Sequence, residues 1–296
     1  MQWSAQKRIE FIEARLYWDG KISRKDLTEF FGISIPQATK DLKKYSALAP
    51  ENIKYDLSAK QYKATKNFNP KISTPCSEIY LTRLKLLQEK RDSNKFFNGI
   101  PPSFSVMPSL RRFVDKEILR GLLRAIHNNE AVKIYYQSMI SPLPKERWIS
   151  PHALGYDGSR WHLRGLCHDE KKYKDFNLGR ILSINGSTKH VFDHSIDYEW
   201  HNEIDITIAP HPLLEDGPKS FIERDYCMEG GQITVSLKAA FFHYFKMNFG
   251  FRDGYENASP HEQQIILLNL TEIEAKIELL KSMTESKING LPAFSH

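Results

Sequence analysis

Basic side chains crowd one stretch of the chain, Arg160 to Ile184, which reads RWHLRGLCHDEKKYKDFNLGRILSI. From Arg160 to Cys167 apolar and polar residues alternate at the two-residue period of a strand. That places Trp161, Leu163 and Cys167 on one face and Arg160, His162 and Arg164 on the other. Three basic groups pointing one way suit an anion, since arginine grips a phosphate bidentately and histidine adds a directional donor. Asp169-Glu170-Lys171-Lys172 reads as a turn, and Tyr173 to Leu178 as the returning partner strand that carries Asn177, Gly179 and Arg180 to its end. Two bland readings stay open: Arg180 as a structural partner of Asp157, Asp169 or Asp175, and His152 as a satisfied core histidine.

Catalysis finds little support in the same residues. The acids are scattered, no HExxH, Walker or nucleophile-elbow pattern occurs, and the histidine-bearing strand face lacks a placed carboxylate partner. Cys76, Cys167 and Cys227 are odd in number, far apart and without a CxxC pair, which argues for reduced thiols and against a zinc site. No metal and no cofactor is expected, and the chain is not expected to be an enzyme.

The elements that must carry this stretch belong to a chain of 296 residues, long enough for two or three domains. With 41% hydrophobic and 26% charged residues it is an ordinary globular composition. No apolar run is long enough for a bilayer and the first residues lack a signal-peptide core, so a soluble, cytoplasmic protein with no membrane partner is expected. The net charge is +6, and residues 1–70 hold 13 Lys and Arg against 8 Asp and Glu, so +5 of the excess sits in the first quarter, as for a polyanion partner.

Within that quarter, Ile9, Phe11, Ile12 and Leu16 mark an amphipathic helix from Ser4 to Trp18, ended by Asp19-Gly20. Ser23 with Asp26 predicts a capped second helix carrying Leu27, Phe30 and Phe31 and stopped by Gly32. Ser34 with Gln37 in the capping-box position opens a third, with Ala38, Leu42 and Tyr45 as its buried stripe. Helix, glycine turn, helix is the helix-turn-helix pattern. Ser34, Gln37, Thr39, Lys40, Lys43 and Lys44 would then face DNA, lysines for phosphates and Gln37 for an adenine edge. The alternative is a capping partner at Gln37 and a solvated lysine face. Asn52 to Lys66 predicts two strands around a Ser-Ala-Lys turn, with Lys60, Lys63 and Lys66 along one arm; this hairpin makes the domain a winged helix-turn-helix.

Residues 71–130 read as a helical connector. A helix runs from Ser77 to about Arg91, Phe96 to Pro108 is a loop broken by Pro101 and Pro102, and Ser109 to His127 is a long amphipathic helix that either couples domains or is core. Residues 131–200 show short strands at Ala131–Gln137 and Arg147–Leu154 and a Tyr156-Asp157-Gly158-Ser159 turn, which suggests a small barrel or strongly bent sheet. In residues 201–296, strands at 203–208, 232–237 and 264–270, an aromatic helix at 238–249 and a last helix capped by Thr271 with Glu274 predict a small α+β domain.

The run WISPHALGYDGSRWHLRGLCHDEKKYKDFNLGRI resembles the core of the WYL-domain family. Trp161-His162-Leu163 stands at the name-giving Trp-Tyr-Leu position, with His162 in place of Tyr, and Phe176, Leu178, Arg180 and Ile181 match the downstream F-x-L-x-R-I. With the winged helix and the C-terminal domain, the chain is similar to bacterial WYL transcription regulators, including those beside phage-defence systems such as BREX. That resemblance implies a multidomain α+β protein: a winged helix-turn-helix, an Sm- or SH3-like small β-barrel and a C-terminal α+β domain for dimerisation or regulation. It implies a homodimeric repressor of a phage-defence operon that binds palindromic double-stranded DNA, with the WYL domain sensing a nucleotide or oligonucleotide through Ser150, His152, Arg160, His162, Arg164 and Arg180. The alternatives are an RNA- or single-strand-binding module and a nucleic-acid-processing enzyme.

Overall fold

A computed structural model describes residues 4–88, 99–108, 110, 112–292 and 294. The chain divides into two compact units, Met1–Leu110 and Arg111–His296.

In the first unit, the Ser4 hydroxyl accepts the Lys7 N–H to open α1 (Ala5–Asp19), and Gly20, at φ 69°, ends it by donating to the Leu16 carbonyl. After β1 (Lys21–Ile22), α2 (Arg24–Phe31) begins with both bonds of the Ser23–Asp26 capping box and ends at Gly32 in the left-handed region. Ser34 caps α3 (Ile35–Leu48). Gln37 does not complete a capping box there: its amide donates to Asp41 at 2.9 Å, four residues on and on the same helix face. β2 (Ile53–Asp56) and β3 (Gln61–Ala64) form the hairpin, and β3 also pairs with β1, giving the order β1-β3-β2. Ile9, Ile12, Leu16, Leu27, Leu42 and Tyr45 are buried between helices and hairpin.

Glu13 lies fully inside this unit. Its carboxylate accepts the N–H groups of Lys71, Ile72 and Ser73, the Ser73 hydroxyl and the Tyr45 hydroxyl. Burial by itself raises a carboxyl pKa, yet these donors hold Glu13 below the usual value. The clamp fixes the chain leaving the wing, ahead of α4 (Ser77–Gln88). The expected continuation of the helix to Arg91 and the start of the expected loop at Phe96 lie outside the described residues.

In the second unit the long helix expected from Ser109, itself outside the described residues, is shorter: α5 (Lys116–Asn128) starts where Asp115 accepts the N–H groups of Glu117 and Ile118. Its apolar stripe is core. Ile118, Leu119, Leu122 and Ile126 pack on Val132, Ile134, Ile149, Leu163 and Phe176. The sheet beneath holds β4 (Glu130–Tyr136), β5 (Lys145–Tyr156), β6 (Trp161–Cys167), β7 (Lys172–Asn177) and β8 (Ile181–Lys189), antiparallel in the order β7-β6-β5-β4-β8. Register shifts at Pro151/Ala153 and in the β4–β8 ladder bend it. No ladder joins β7 to β8 among the described strands, so the sheet stays open.

The C-terminal part holds α6 (Tyr198–His201), β9 (Glu203–Pro210), α7 (Asp216–Asp225), β10 (Ile233–Lys238), α8 (Phe242–Asn248), β11 (Ile265–Leu267) and α9 (Leu270–Asn289), with strand order β10-β9-β11. Two expectations are corrected here. β11 is shorter than residues 264–270, and Thr271 lies inside α9 rather than capping it. Asn269 occupies the N-cap, but its side chain serves β9 instead, accepting the Thr207 N–H and donating to the Asp205 carbonyl. Phe242, Phe251, Ile273 and Ile277 are buried against the β9 isoleucines. A Cβ on Gly155 of β5 would overlap the Phe241 ring, so this glycine lets the α8 region close onto the sheet. Among the described residues no helix is long and apolar enough to cross a membrane.

Candidate DNA interface and ligand site

The N-terminal turn of α3 presents Ser34, Ile35 and Pro36 to solvent, and Lys40, Lys43 and Lys44 are exposed along the same helix without an ion pair among the described residues. Such a face carries unneutralised cations beside free helix N–H groups, the two features a phosphate backbone selects. Gln37 is half-buried and tied to Asp41, which is buried and takes Arg8 Nε at 2.6 Å. Thr39 donates its hydroxyl to the Ile35 carbonyl. In the wing, Lys60 stands exposed at φ 50°, whereas Lys63 Nζ is 2.7 Å from Asp56. Two residues of this face escape sequence reasoning. Ile35 is 64% exposed at the tip of α3, where an apolar side chain suits a thymine methyl. Arg24 at the start of α2 lies over the Tyr55 ring of the wing at 5.7 Å; its signal was one more cation directly after the Ser23 cap.

Of the six expected ligand residues, the structure gathers four into two neighbouring hydrogen-bonded clusters. Arg164 on β6 is 4% exposed and grips Asp197 with both Nε and Nη2 at 2.8 Å, while Asp175 and Glu199 lie at 3.3 and 3.2 Å. His152 Nε2 meets the same Asp197 at 2.9 Å and stacks on His194 at 4.8 Å. Burial works to raise the Asp197 pKa, but the Arg164 and His152 bonds hold it at about 2. The absence of a placed carboxylate, expected from the sequence, is therefore overturned: Asp197, 33 residues from Arg164, supplies it. His162 has its own acid, Asp157 Oδ2 at 2.7 Å, and packs against Tyr244 of α8. Asp157 also accepts the N–H groups of Ser159 and Arg160, shaping the turn in which Gly158 adopts φ 93°.

Ser150 is 1% exposed and bonds His168 Nε2 at 2.8 Å and His190 Nδ1 at 2.9 Å. Burial, with a smaller push from His190, lowers the His168 pKa to about 4, and burial lowers that of His190 as well. Arg160 Nε stands 3.4 Å from Asp157, and Arg180 is half-buried with no side-chain partner among the described residues. Arg164 and Arg180 share no partner among the described residues. His168, His190, His194 and Asp197 were all missed, although six of the chain's eleven histidines fall between positions 152 and 201, a local excess that marked the region. No group of three or more His, Cys, Asp or Glu among the described residues could hold a metal ion.

A capped recognition helix with bare lysines, a three-stranded wing and a histidine- and arginine-rich β-sheet followed by an α+β extension define a winged-helix transcription regulator of the WYL class. Residues 4–86 match the BrxR transcriptional regulator winged helix-turn-helix domain, 117–185 the WYL domain and 203–273 the BrxR transcriptional regulator C-terminal dimerization domain. Three relatives carry the description DNA-binding transcriptional repressor CapW. That of Escherichia coli (strain KTE188) is 38% identical over 279 residues, covering 94% of this chain and 93% of the relative. Those of Pseudomonas aeruginosa and Stenotrophomonas maltophilia are each 35% identical over 280 residues, covering 94% and 93% of this chain and 93% and 92% of the relatives. The chain belongs to the CapW family of transcriptional repressors.

Proposed function

We propose that the protein is a cytoplasmic, homodimeric repressor that holds a palindromic operator in double-stranded DNA with its two winged heads, controls a phage-defence operon and senses a nucleotide or oligonucleotide at its WYL domain. The observation that carries the DNA reading is the α3 face, where Lys40, Lys43 and Lys44 stand exposed behind a capped helix N-terminus, without an ion pair among the described residues. Ser34, Gln37, Thr39 and Lys60 belong to the same interface, Gln37 after leaving Asp41, and Lys63 after leaving Asp56. Exchange of Lys40→Ala together with Lys44→Ala lowers operator affinity and flattens its salt dependence: the slope of log K against log salt falls by about 2 for each winged head, roughly one for each lysine removed. Unchanged affinity and slope in a titration would remove the winged head from the interface. Competition by duplex DNA, single strands and RNA separates this reading from an RNA-binding module.

For the effector, direct contact fits Arg180 and Arg160, which retain donors, and Ser150 at its histidine pair. His152, His162 and Arg164 act through Asp197 and Asp157, whose bonds an anion would have to displace or reinforce. The bulged, α5-capped sheet is also our basis for reading it as an opened Sm- or SH3-like barrel.

A further inference from the structure

A recognition helix reads base edges in the major groove with its first residues. At the tip of α3 most hydrogen-bonding side chains are already engaged. Gln37 is half-buried, its amide nitrogen on Asp41 at 2.9 Å, and Asp41 is buried and fixed in turn by Arg8 Nε at 2.6 Å. A bidentate contact to adenine would need that amide turned outward and its bond to Asp41 given up. Thr39 donates its hydroxyl proton to the Ile35 carbonyl at 3.0 Å, and Ser34 Oγ accepts the Gln37 N–H at 3.3 Å. Apart from the Ser34 hydroxyl proton, what these side chains offer without breaking a bond is carbon. Ile35 is 64% exposed, and Pro36 beside it is exposed as well.

A lone exposed isoleucine is common on protein surfaces and by itself signals nothing. Position decides here. Ile35 is the first residue of α3, while Lys40, Lys43 and Lys44 follow on later turns with charge for the phosphates. Among the groups that base pairs present in the major groove, the C5-methyl of thymine is the apolar one. We propose that Ile35 is a specificity-determining residue of the repressor, packing on the C5-methyl of a thymine in each operator half-site. Any reading by Gln37 comes in addition, once its bond to Asp41 is given up. The proposal rests on the α3 reading above and adds to it the base that the helix tip selects.

Duplexes that the full-length protein selects from a random-sequence pool supply the probe. Each thymine of the recovered half-site is then replaced by deoxyuridine, which pairs identically and lacks only the C5-methyl. In wild type, one such position weakens binding by about fourfold, the worth of one buried methyl group, and by about fifteenfold when both half-sites are changed. Ile35→Ala, which suits an exposed helix position, weakens binding to the thymine duplex and binds the thymine and deoxyuridine duplexes equally. Ile35→Val, which keeps a branched side chain, retains part of the methyl penalty. Leu57→Ala removes another exposed side chain, from the wing turn, and keeps the whole penalty. A wild-type protein indifferent to deoxyuridine at every position, or a penalty that survives in Ile35→Ala, overturns the proposal. A penalty lost in Leu57→Ala overturns it too, by moving the methyl contact to the wing. Failure of the α3 reading looks different: the pool yields no preferred sequence, or Lys40→Ala with Lys44→Ala leaves the salt slope unchanged, and this proposal falls with it. A flattened slope without a methyl penalty retires the role of Ile35 alone.

Discussion

Arg164 shows why a cation on the polar face of a strand need not be an open anion site. Alternation put it opposite Leu163 and Cys167, but the face it shares with His162 is covered by the segment around Asp197 and by α8, so both faces of β6 are interior. A guanidinium there needs carboxylates, and it has three. Replacing Arg164 by Met strands them in a buried site and costs about 3 to 5 kcal/mol. Arg164→Lys recovers little, because an ammonium cannot make the paired bonds to Asp197. Urea unfolding followed by circular dichroism reads both losses; a Met variant within error of wild type would show that water already screens the cluster. Acid acts on the same region. His168 and His194 hold folded pKa values of about 4 against 6.5 for the free side chain, so the unfolded chain takes up protons first and stability falls as pH drops from 6.5 toward 4. Asp197, held at about 2 against 3.8, adds a loss below pH 4. The melting temperature should decline across pH 6.5 to 4 in wild type and more shallowly in His168→Phe; parallel curves would place the His168 proton elsewhere.

At the scale of elements, what could be read was what local chemistry decides. Ser4, Ser23 with Asp26, and Ser34 start their helices as their spacing predicts, and Gly20 and Gly32 end theirs, because a cap is settled within about four residues. Thr271 went astray as a cap because α9 starts earlier, with Asn269 at its N-cap, whose side chain bonds the backbone of β9 62 and 64 residues away. Gln37 went astray within one helical turn, its amide taken by Asp41 instead of the Ser34 N–H. The WYL hairpin was legible from alternation and turn residues, while the Ser150–His168–His190 and Arg164–Asp197 clusters were not, since tertiary folding alone brings their members together. Glu13 is another such case, a lone acid on the buried side of α1 that ties α1 and α3 to residues 71–73. Glu13→Gln keeps the shape but turns an amide toward N–H donors, costing about 2 to 4 kcal/mol. Hydrogen exchange of the full chain should show faster amides at Lys71, Ile72 and Ser73 and unaltered protection in β5 and β6. Uniform acceleration would mean that the two units unfold together.

Over the whole molecule, charge is divided by unit. Residues 1–110 carry 19 Lys and Arg against 11 Asp and Glu, a net +8, and residues 111–296 carry 23 against 25, a net −2, so the +6 of the chain is all in the winged unit. Polyanion affinity therefore belongs to the heads, and the match to a dimerization domain at residues 203–273 belongs to the part with no such excess. One head offers few groups to the phosphates, so on this reading specific binding requires two heads joined through the second unit, each meeting the same groove face of its half-site. Twofold symmetry then fixes the half-site spacing to whole turns of about 10.5 base pairs. Inserting about 5 base pairs between half-sites rotates one of them to the opposite side of the duplex and should drop affinity toward that of a single head, by about a hundredfold or more. Inserting a full turn restores part of the loss if the linkage between heads stretches that far. Gel shifts with the two spacer series check this, and equal affinity for all spacers would mean that each protomer binds its half-site alone.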